Sequence, residues 1–160
     1  MGSFTKGLLV VAIILTLALC IQGFAVNLDL DRRIDSIIDR AQVAGGLDDM
    51  LGYLQTLKKN MEDVGMTHGH TALIWTTPQN DMALHYESVK TVIERLTQVK
   101  DLPPTEAAYQ VALEDARGVV RELPSPGKGW WYAQCRGWIL IVICVLLWSI
   151  FCLFWYKDVT

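Results

Sequence analysis

Residues 137–156 read GWILIVICVLLWSIFCLFWY, and no charge falls between Arg136 and Lys157. At ~1.5 Å per residue, a helix of this length covers the ~30 Å of a hydrocarbon core. A helix that is apolar on every face has no side to show to water, and a soluble domain of this size could hardly cover it. The stretch therefore predicts a transmembrane helix over 137–156. The aromatic residues agree. Trp130, Trp131, Tyr132 and Trp138 gather at its start and Trp155 and Tyr156 at its end, where membrane-interface belts lie.

At the other end of the chain, no charge falls between Lys6 and Asp29. Gly7 to Leu19, GLLVVAIILTLAL, is aliphatic before it softens through Cys20, Gln22 and Gly23. After a short tail over 1–6, this predicts a second spanning helix over 7–26. A lysine-bearing start, a short apolar core and Gly23-Phe24-Ala25 also fit a cleaved signal peptide. The uncleaved anchor is the preferred reading. The average hydrophobic fraction of 52% and the net charge of −3 hide this segregation, because the charges are concentrated in the middle. Lys6 and Lys157 lie in the tails 1–6 and 157–160, and the middle is net acidic. That predicts both termini in the cytoplasm and an extracytoplasmic domain, in a cell or inner membrane. Lys128 and Arg136 oppose that orientation.

Between the spans, residues 27–123 show apolar positions three and four apart, with no sustained alternation of the strand type. The domain is expected to be all-helical. Leu30, Ile34, Ile37, Ile38 and Ala41 make the first stripe, with Asn27 as its cap and Gly45-Gly46 as its end. Leu47, Met50, Leu54, Leu57, Met61 and Val64 make the second, stopped by Gly65. The third starts at Thr77-Pro78, cap and first helical position, and runs through Met82, His85, Val89, Val92, Leu96 and Val99. The fourth follows Pro103-Pro104, carries Tyr109, Ala112, Ala116, Val119 and Leu123, and stops at Pro124. An interfacial linker over 124–136 leads to the second span. Short turns make neighbouring helices antiparallel, so the fold class is an all-α membrane protein with two transmembrane helices flanking a four-helix bundle of two hairpins.

Chemistry-bearing residues are sparse. Cys20, Cys144 and Cys152 lie in the apolar runs and Cys135 at their boundary, so disulfides do not staple the domain. Met66 to Thr77 is long for a bundle connection and holds His68-Gly69-His70. Imidazole and thioether are soft-metal ligands, which makes His68, His70, Met66 and His85, with Met61 nearby, candidates for a copper-type site. A solvated loop and a hydrogen-bonded core histidine explain the same residues without metal, and no cofactor is required. Leu73, Ile74 and Trp75 form an apolar run suited to tuck under the loop as a satellite core, or to touch a partner or the bilayer surface. Asp31, Asp35 and Asp39 interleave with Arg32, Arg33 and Arg40 as a solvated face.

No phosphate-binding glycine loop, nucleophile elbow or zinc-finger spacing is present. The net charge of −3 and the lack of a basic stripe argue against nucleic acid as a partner. The expected role is a non-catalytic accessory or scaffolding subunit of a larger membrane complex, with membrane lipid and other subunits as partners. An extracytoplasmic sensor or ligand-binding module is one alternative, and a copper-type metal-binding membrane protein using the His68-Gly69-His70 loop is the other. A helical bundle between two spans resembles in architecture the outer part of bacterial chemoreceptors and sensor kinases, which implies output through another protein.

Overall fold

The computed structural model describes residues 3–72, 75–125, 129–130 and 137–159. Every regular element among them is helical: α1 (Ser3–Leu30), a π-helical segment (Asp31–Asp35), α2 (Ser36–Gln42), α3 (Leu47–Asp63), a 3-10 turn (Pro78–Asn80), α4 (Met82–Val99), α5 (Ala107–Glu122) and α6 (Gly137–Val159). α1 and α6 are long and apolar enough to cross a membrane.

The amino-terminal third departs from expectation. α1, the π-helical segment and α2 follow one another without a break, so Asn27 lies inside α1 and caps nothing. No glycine or proline occurs between Gly23 and Gly45, so no residue there stops the helix. The run, at 1.5 Å per residue, is roughly 60 Å long and carries the apolar helix directly into the domain. The wider π turn loosens the local backbone ladder. One freed acceptor is taken up from α3, where Asn60 Nδ2 donates to the Arg33 carbonyl at 2.7 Å.

α2 packs on α3, α3 on α4, α4 on α5, and α5 returns to α2. The stripes meet in one core: Leu47, Met50, Leu54, Leu57, Leu96 and Val89 are almost completely buried. In α5 the buried positions are Leu113, Ala116 and Val120, one residue along from two of those expected. Tyr109, Ala112, Val119 and Leu123 are only partly buried. α5 also ties down the turn between α2 and α3. The Leu47 N–H donates to the Tyr109 hydroxyl at 2.9 Å, and Arg117 Nη2 donates to the Ala44 carbonyl at 2.7 Å. The uncapped start of α3 is thus satisfied from a distant helix, and the turn before it is pinned by Arg117.

The third domain helix starts four residues later than the sequence suggests. Asn80 Oδ1 accepts from the Thr77 N–H at 3.0 Å, closing the separate 3-10 turn. Asp81 then caps α4, its Oδ1 accepting from the Ala83 N–H at 2.9 Å. The delay has a tertiary cause. Asp81 is extended and bridges His70, with the Thr71 N–H donating to the Asn80 carbonyl and the Met82 N–H to that of Gly69, each at 2.9 Å.

Candidate functional site

Two places combine unusual chemistry with defined geometry. The first is the seam between α1 and α6. Thr16 is the lone hydroxyl in the aliphatic block Gly7 to Leu19, and it donates to the Ala12 carbonyl one turn back at 2.7 Å. Its proton being used there, the oxygen accepts the Trp148 indole N–H at 3.1 Å and lies 3.1 Å from Cys144 Sγ. A hydroxyl has one donor and two acceptor positions, so Cys144 is the remaining donor and Thr16 is saturated. The seam opens into a groove of about 820 Å³ whose lining includes Cys20, Cys144, Ser149 and Cys152. The sequence reading passes over this seam, although Trp148 carries a signal for it. A tryptophan in mid-run, away from either interface, has an N–H that needs a buried partner.

The remaining surface of the pair faces outward. Ile14, Ile21, Val145 and Leu153 are all exposed, and so are Trp138, Trp155 and Tyr156 at the ends of α6. Trp130 behaves differently from the interfacial residue expected: it is 4% exposed and belongs to the domain core. Beside it, Gly129 packs against the Thr71 carbonyl so closely that a Cβ would clash with the oxygen. Trp131, Tyr132 and Cys135 lie outside the described residues, as do Leu73 and Ile74 of the expected docking run. Trp75, the remaining member of that run, is 80% exposed.

The second place is a small void inside the domain, between the π-helical end of α1, α3, α4 and the end of α5. Local backbone rules assemble its rim. Gly65 adopts φ 76° just past α3, and the Met66 N–H returns to the Met61 carbonyl at 2.7 Å while the Gly65 N–H returns to Glu62. This is a Schellman ending, which folds the residue after the glycine back on the helix and sets Met66 beside Met61. The pairing of Gly69 with Met82 brings in the start of α4, and His85 follows one turn later on the same face. Met61, Met66, Met82 and His85 together line a void of about 20 Å³, with Ile34, Ile38 and Leu57 among its apolar walls.

Of the four residues first considered as ligands, Met66 and His85 meet at this void. His68 is exposed, with Nδ1 3.1 Å from Thr67 Oγ1, and His70 sits in the bridge to Asp81. Neither lines the void. Met82 was legible only as a core residue, because its approach to Met66 depends on the loop pairing. Among the described residues, no group of three or more His, Cys, Asp or Glu could hold a metal ion.

Charged groups elsewhere are solvated or structural. Burial of the Asp35 carboxyl on the π-helical segment raises its pKa, opposed by a 2.9 Å hydrogen bond from Ser125 and reinforced by Asp31 and Asp39. The Tyr86 hydroxyl donates to Glu62 Oε1 at 2.6 Å, which lowers the Glu62 pKa and raises that of Tyr86. Arg95 and Asp115 join α4 to α5 at 2.9 Å on the surface. No protein-family model matches the chain, and no curated protein or solved structure is detectably similar to it. The geometry therefore carries the functional reading alone.

Proposed function

We propose that the protein is an integral membrane accessory or scaffolding subunit without catalysis of its own. In this reading α1 and α6 form an antiparallel transmembrane hairpin. Helices α2 to α5 form a four-helix bundle held on the extracytoplasmic side, with both termini cytoplasmic. The observation that carries it is the pair of apolar helices itself. Their most hydrophobic windows, of mean hydropathy 2.6 and 2.7, are only 11% and 6% buried. Apolar surface of that extent is stable when lipid covers it, while the seam keeps the two helices together.

Scaffolding follows from the domain. Trp75 stands out from the connection between α3 and α4, and an exposed tryptophan is the kind of side chain that anchors an interface. Partner subunits are expected to dock there. The test is native purification in mild detergent. The protein should migrate with other chains, and Trp75→Ala should release them while leaving membrane integration intact. Recovery of the wild type as a lone monomer would overturn the proposal. Release of the intact chain from vesicles by carbonate would remove its membrane basis.

A further inference from the structure

The void rimmed by three methionines and a histidine has a chemistry of its own. Met61, Met66 and Met82 are at most 5% exposed, so their thioethers are withdrawn from water. His85 Nε2 lies 3.0 Å from the Gln79 carbonyl oxygen. A carbonyl only accepts, so Nε2 carries a proton, and in the neutral ring Nδ1 keeps its lone pair. A void of about 20 Å³ admits one water-sized body. A water there needs two to four polar partners, and among the lining side chains only the imidazole is a strong one.

We propose that this void is a site for a single cuprous ion, held by the thioether sulfurs of Met61, Met66 and Met82 and by Nδ1 of His85. Soft thioethers select Cu(I) over Zn(II) and Mg(II). A single positive charge costs less to bury than a double one. Unbranched methionine side chains can swing their sulfurs onto the ion without moving the backbone. His85 also lines an outer groove of about 450 Å³ with Gln79 and Leu84, so its ring stands between that groove and the void, where a turn of the side chain would admit the ion. The proposal is independent of the scaffolding reading.

The intact protein in detergent micelles, under reductant, is titrated with Cu(I) against a chromophoric chelator, and with Ag(I) as an air-stable soft stand-in. Methyl-labelled methionine spectra supply the direct readout, because the chain has five methionines. Ag(I) added beyond what the four cysteine thiols take up should shift the methyl resonances of Met61, Met66 and Met82 and leave those of Met1 and Met50 in place. Met66→Leu and Met82→Leu conserve side-chain volume and should each weaken Cu(I) binding at least about tenfold, since even outer-shell changes cost that much. Replacing all four cysteines by serine should leave the affinity unchanged. Absence of binding overturns the proposal, as do five unmoved methyl resonances or binding that disappears with the cysteines. The spectral arm uses the wild-type chain, so it decides the matter even where a variant misfolds.

Discussion

The helix pair α1–α6 and the helical domain are built from the same residue types turned in opposite directions. In the domain, leucines point inward: Leu54 and Leu57 are 0% exposed, and the charges stand outside. In the pair, Ile21 is 69% and Leu153 72% exposed, while the polar atoms of Thr16, Trp148 and Cys144 face one another in the seam. One region hides apolar groups from its surroundings and the other hides polar ones. That inversion is what the proposed membrane reading requires, with water around the domain and hydrocarbon around the pair.

Substitutions can break or sharpen the comparison. The largest effect is expected in the domain. Leu54→Ala should cost about 2–5 kcal/mol, because it removes a fully buried side chain and leaves a cavity. Chemical denaturation in detergent, followed by circular dichroism, measures it. Next comes Leu146→Arg, at a position 55% exposed on α6. A water-facing site would tolerate it within ~0.5 kcal/mol, whereas a site at mid-bilayer loses about 2.5–3.5 kcal/mol of insertion free energy. The expected outcome is the larger loss, read as the fraction of chain resisting carbonate extraction. An unchanged fraction would erase the contrast between the regions.

Thr16→Val keeps the shape and strands the Trp148 N–H. It should weaken the helix pair by about 1 kcal/mol, the scale of an interhelical hydrogen bond in a membrane. Unfolding in micelles with rising dodecyl sulfate checks this. Asp35→Asn gives the smallest effect and a definite sign. Because burial raises the folded-state pKa of Asp35 above its ordinary value, its ionised form is disfavoured in the folded protein. Its contribution to stability falls as pH rises from the ordinary carboxylate value through the raised one. The variant should therefore melt slightly above the wild type at pH 7, with the gap closing on acidification below the ordinary carboxylate range. A gap that widens in acid would show that the Ser125 hydrogen bond outweighs desolvation.

Much of the helical content was legible because the signals are local. Three- and four-residue spacing marked α3 and α4, and Gly65 marked the end of α3. Charge-free runs marked the two apolar helices. Where local rules compete, the reading failed. Asn27 has capping chemistry, but nothing after it breaks the helix. Thr77-Pro78 opens a turn, yet strand-like pairing with Gly69 postpones α4 until Asp81 can cap it. Trp130 looks interfacial by position and is drawn into the domain core instead.

By itself, the sequence determined where most of the helices lie, the apolar faces of α3 and α4, and that two segments differ in kind from the rest. Only the tertiary structure decided that Tyr109 caps a helix 62 residues earlier, that Trp148 reaches Thr16 across 132 residues, and that Met61, Met66, Met82 and His85 share one void. The physical reason is range. Periodicity and capping act within a turn or two of the chain, whereas a hydrogen bond or a ligand set needs atoms brought together in space, and that depends on how the whole chain packs.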